Sequence, residues 1–70
     1  MFMTEIEYAL ITCLKAFGID YETTAGIVSI LETEPNMIKM LEWMLEEHDK
    51  GNLPTEQQIL RKLKEIVTQN

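Results

Sequence analysis

Two stop-and-start signals, "FGID" at residues 17–20 and "KGNLPT" at residues 50–55, constrain this chain more than any other feature. In each, a glycine follows an apolar-periodic run and a cap-forming residue opens the next, the order in which one helix ends and another begins. A third boundary, "TEP" at residues 33–35, puts Pro35 in a first turn opened by Thr33 or Glu34, where its missing amide costs nothing. Connectors this short make neighbouring helices pack on one another. The spacing predicts an all-α fold, a compact bundle of four short helices at about residues 4–17, 20–32, 34–50 and 55–68, within a single domain spanning residues 1–70.

Apolar periodicity gives each segment a face. Ile6, Leu10, Cys13, Leu14 and Phe17 align on the first, with Gly18 as its left-handed stop. The second, opened by Asp20, carries the β-branched Thr23, Thr24, Ile27, Val28 and Ile30 and the helix-weakening Gly26. A strand there would have no partner for its backbone groups, so a helix is expected, facing inward through Tyr21, Thr24, Val28 and Leu31. Met37, Met40, Leu41, Met44 and Leu45 form a broad stripe on the third, continuing to His48. On the fourth, Thr55 and Gln58 have capping-box spacing, and Ile59, Leu60, Leu63, Ile66 and Val67 repeat along one side.

Size makes the core marginal. With 70 residues and the single cysteine Cys13, no internal disulfide is possible. A core this small rarely supplies more than about 3–5 kcal/mol without such help. Tight helix packing, or burial against a second copy, is expected to make up the difference. A lone cysteine fits a reducing compartment, and the opening "MFMTEIEYALITCLKAF" has no basic stretch before its apolar residues. No apolar run approaches the roughly 20 residues that span a bilayer. A cytoplasmic location is expected.

The charge is acidic and uneven. The formal net charge is −6. Lys15 is the one cation in residues 1–35, against Glu5, Glu7, Asp20, Glu22, Glu32 and Glu34, whereas residues 36–70 come close to balance. Such a surface repels phosphate backbones and membranes on average. Parts for catalysis are missing. Cys13 sits mid-stripe, His48 is the sole histidine, and Glu46, Glu47, His48 and Asp49 occupy consecutive helical positions that point in different directions. No glycine-rich phosphate loop occurs. Neither a cofactor nor a metal is expected.

Two stretches resemble known families. "LEWMLEEHDKGNLPTEQQILRKL" resembles the first helix, connector and second helix of the winged-helix domain in the SOS-repressor (LexA-type) family, sharing a glycine, then Pro-Thr, then an amphipathic helix over about a third of the chain. In that family DNA is read by a further helix, and none follows before Asn70. "LKAFGIDYETTAGIVSIL" is similar to the first two helices of a ubiquitin-associated-type module, with Phe17-Gly18-Ile19 in the place of its loop and Ala25 one place out of step. That is a similarity of packing, and it implies no ubiquitin binding.

The apolar residues exceed what four helices need for mutual contact. Trp43 lies off the centre of the third stripe, between Lys39, Met40, Glu47 and Lys50, where either Phe2 or Met3 folds over it or a partner does. Ile30 is similarly displaced, and Tyr8 and Ile11 sit toward the back of the first helix. The reading is a small non-catalytic protein-protein interaction module that self-associates as a homodimer or meets another protein, through Trp43 and Met40, with Ile30 as second choice. The runner-up is a regulator contacting nucleic acid through Gln57, Gln58, Arg61, Lys62 and Lys64. A third reading is an acidic protein occupying a partner's nucleic-acid site.

Overall fold

The computed structural model describes residues 4–69. Four helices follow in chain order: α1 (Glu5–Ala16), α2 (Tyr21–Leu31), α3 (Glu34–Asp49) and α4 (Glu56–Thr68). Each starts beside an oxygen that accepts from an otherwise unpaired amide of the first turn. Thr4 accepts from the Glu7 amide, Asp20 from Thr23, Thr33 from Asn36 and Thr55 from Gln58. At α4 the exchange is reciprocal: the Gln58 amide donates to Thr55 Oγ1 at 3.2 Å and the Thr55 amide to Gln58 Oε1 at 2.9 Å. Hydrogen bonds from the Thr23 hydroxyl and amide hold the Asp20 carboxyl below its ordinary pKa. The spans expected from sequence are longer by the cap residues, which belong half to the helix.

Both glycine stops behave as expected. Gly18 (φ 87°) and Gly51 (φ 84°) are left-handed, a conformation that a Cβ would strain. After α1 the Ile19 amide reaches back to the Leu14 carbonyl and the Gly18 amide to Lys15, each at 3.0 Å. After α3 the Asn52 and Gly51 amides do the same to Glu47 and His48, both at 2.9 Å. These paired bonds satisfy carbonyls that the helix leaves open. Ile19 is buried with Leu14, so the first stop is also stitched into the core.

The joint between α2 and α3 has no glycine and is strained. Glu32 adopts φ 70° and ψ −48°, and the Thr33 amide closes a three-residue turn onto the Leu31 carbonyl at 2.7 Å. The buried Asn36 side chain donates to the same carbonyl at 2.9 Å. A non-glycine residue in this region costs about 1–3 kcal/mol. Glu32→Gly is therefore expected to stabilise the fold by about 1 kcal/mol net of the greater freedom of glycine in the unfolded chain. That is a rise in melting temperature of about 4–8 °C. A fall on thermal unfolding would show that the Glu32 side chain, not its backbone, matters at this joint.

Packing joins non-consecutive helices. α1 lies against α2 and α3, and α4 lies against the same two, while the backbones of α1 and α4 stay apart among the described residues. The α1–α3 pairing is the most extensive, and that of the sequence neighbours α2 and α3 the thinnest. Leu10, Leu14, Ile27, Leu31, Met40, Met44, Ile59 and Ile66 are fully buried where the four helices meet. The radius of gyration, 11.1 Å, matches the roughly 11 Å expected of a tightly folded chain of this length. No helix among the described residues is long and apolar enough to cross a membrane.

Three faces differ from the expectation. α2 is helical throughout and turns Thr24, Ile27 and Leu31 inward, while Tyr21 is 75% exposed. Tyr21 occupies the first turn, where Lys15 places its ammonium 5.6 Å from the ring centre. On α3 the stripe is narrower than expected: Leu45 is 50% exposed and His48 lies outside, its ring 6.3 Å from that of Phe17. On α4, Leu60 stands half out of the core.

Candidate functional site

The three residues expected at a partner interface are separated by the fold. Met40 has no exposed surface and sits in the centre of the core, so it contacts no partner. The apolar stripe of α3 already included Met40, and its burial follows that periodicity rather than the interface assignment. Trp43 is half-buried against the core, with the Lys62 ammonium 5.9 Å from its ring centre. Phe2 and Met3, the other expected cover for Trp43, lie outside the described residues. Ile30 is exposed and borders an open hollow of about 610 Å³ with Lys39 and Val67, a hollow that Trp43 does not line.

The five residues of the nucleic-acid reading also divide. Gln58 is held in the capping box, and Lys62 lies over Trp43 with its ammonium 3.9 Å from Glu65. Gln57, Arg61 and Lys64 remain exposed. Two cations without an ion pair among the described residues, and one amide, form a small footprint on a chain of net charge −6.

A more apolar feature lies elsewhere, between α1 and α3. The outer side of α1 carries Tyr8, 66% exposed, and Thr12. Beside them Ala9, Cys13 and Ala16 form the floor of a trough of about 430 Å³, whose far wall is Leu41 and Leu45 of α3. The sequence explains this shape: four small side chains at positions 9, 12, 13 and 16 follow one side of α1, leaving space where larger ones would fill the angle between the helices. The trough extends over two turns of α1, about 12 Å. On its other side Tyr8 and Thr12 border a second hollow of about 360 Å³ with Ile11, Lys15, Tyr21 and Ala25, beneath which lies Thr24. The Thr24 hydroxyl is buried and has no hydrogen-bond partner among the described residues.

The trough lining carries no charge, and the nearest acidic row lies beyond Leu45. Glu42, Glu46 and Asp49 flank Leu45 on the outer surface of α3. Among the described residues the ion pairs are Lys50–Glu47 and Lys62–Glu65, and neither engages those three acids. Cys13 is partly accessible from the trough, and burial pushes its thiol pKa up, which lowers its thiolate fraction and slows its reactions. No group of three or more histidine, cysteine, aspartate or glutamate side chains among the described residues is arranged to hold a metal ion.

Sequence reasoning noticed Tyr8 as surplus but assigned Leu45 to the core and left Trp43 between internal cover and a partner interface. The available signal was the row of acids at positions 42, 46 and 49 around Leu45, which marks the outer edge of the α3 stripe on that side. No protein-family model, curated protein or solved structure matches this chain.

Proposed function

We propose that this chain is a non-catalytic helical interaction module of the cytoplasm, and that a partner protein docks on the trough between α1 and α3. The observation that carries this reading is the pairing of Tyr8, 66% exposed, with Leu45, 50% exposed, across a trough floored by small side chains. Large amphipathic and aliphatic side chains beside an open apolar trough lose little entropy, and gain area, when a partner covers them. The core does not need them. Self-association through Trp43 has less support, because Met40 is internal and Lys62 already covers part of the indole. Nucleic-acid contact through α4 has less support still, with only Gln57, Arg61 and Lys64 uncommitted.

A photo-crosslinking residue tests this directly. Placed at Tyr8 or Leu45 in the cell that makes the chain, it is expected to give one discrete protein adduct, and none when placed at Gln57 or Arg61. Adducts confined to the α4 positions, or formed with nucleic acid, would replace this reading with the runner-up. An adduct of twice the chain mass at positions 8 and 45 would make the partner a second copy.

A further inference from the structure

We infer that the occupant of the α1–α3 trough is a cationic amphipathic helix of another protein. The inference rests on the trough being the docking surface, as proposed above. The trough is shallow and open and runs along α1 beside Leu41 and Leu45 of α3, which suits a helix laid over it with its apolar face between Tyr8 and Leu45. Ala9 and Ala16 let that helix approach the α1 backbone closely, since neither side chain reaches beyond its Cβ. The charge of the rim then selects among helices. The trough lining itself is uncharged, but Glu42, Glu46 and Asp49 lie just beyond Leu45 on α3, where the flanks of a docked helix would reach them.

A second copy fits this rim poorly. Two chains of net charge −6 meeting through the same face would repel one another as wholes. A partner helix with Lys or Arg flanking its apolar stripe instead meets carboxylates that have no ion pair among the described residues. Its long side chains also extend apolar stems along Leu45 before their charges reach the acids.

The test uses the full chain and two synthetic peptides of about 14 residues, roughly 21 Å as helices. Both carry leucine at the i, i+3, i+4, i+7 positions. One has lysine and arginine on the flanks, the other glutamate at the same places. The cationic peptide is expected to shift the backbone resonances of Tyr8, Thr12, Cys13, Leu45 and Glu46, and to slow alkylation of Cys13. It should bind at least about tenfold more tightly than the acidic peptide, with the advantage shrinking as salt rises from about 50 to about 300 mM. The double variant Tyr8→Ser/Leu45→Ser, altered at exposed positions, should weaken binding while keeping the melting curve cooperative. The variant Glu42→Lys/Glu46→Lys should reverse the preference between the peptides.

Equal affinity for both peptides, or shifts centred on the acids of α2 or on α4, would overturn the inference. Failure of both peptides, with crosslinks from Tyr8 and Leu45 to another protein intact, would overturn the partner class and leave the docking surface standing. If those crosslinks are absent as well, the docking surface falls with it.

Discussion

Met40→Ala is expected to remove most of the stability of this protein. Met40 has no exposed surface and lies among Met37, Met44 and the buried residues of the other helices. Truncating a buried methionine costs about 2–5 kcal/mol, the lost transfer energy plus the cavity left behind. A chain of this size without a disulfide holds only about 3–5 kcal/mol in total. The neighbouring methionines are flexible and refill part of the void, which places the loss near the lower end of that range. The melting temperature should fall by about 10–25 °C, or the folded state should be lost outright. Thermal unfolding followed by circular dichroism reads this. Near-wild-type stability would mean that Met40 faces outward and that α3 is rotated from the arrangement described.

Trp43→Ala is expected to cost somewhat less, about 1.5–3 kcal/mol, because the indole is only half-buried against the core. The loss includes the Lys62 contact, worth about 0.5–1 kcal/mol at a partly exposed site. Lys62→Ala alone should therefore lower stability slightly and shift Trp43 fluorescence to the red. The decisive property is concentration dependence. If Trp43 is part of a monomer's own packing, the melting temperatures of wild type and variant should differ by the same amount at low and high protein concentration. A difference that grows with concentration, with dimer lost in sedimentation, would return Trp43 to an interface between two copies.

Trp43 and Leu45 also show how far a sequence carries. Both are large apolar residues, near opposite edges of the α3 stripe, and both occupy helical phases compatible with core or surface. The structure settles them in opposite senses, since α4 approaches from the Trp43 side with Lys62 while α1 stops short of covering Leu45. Periodicity measures the direction of a side chain relative to its own helix. It carries nothing about how close the neighbouring helix comes, and that closeness depends on the small side chains of another segment, Ala9 and Ala16.

Tyr21 and Thr24 make the same point on α2. They share a face by phase, yet Tyr21 ends in solvent beside Lys15 and Thr24 is buried with its hydroxyl unmatched among the described residues. Ile27, assigned to no buried face from sequence, takes the inward position. Helix α2 is gripped by α1 on one side and α4 on the other, and the buried arc follows from both contacts together.

The sequence by itself determined where the helices begin and end. Thr4, Asp20, Thr33 and Thr55 open them, and Gly18 and Gly51 close two of them, because capping bonds reach only three to five residues along the chain. It also determined that the fold is all-α, since four amphipathic faces joined by short connectors can bury their apolar sides only on one another. Tertiary structure alone decided which flank of each face was covered, placing Met40 at the centre, Trp43 under Lys62, and Tyr8 and Leu45 in the open. Burial is a property of pairs of helices, and the distance between two helices is written in neither one.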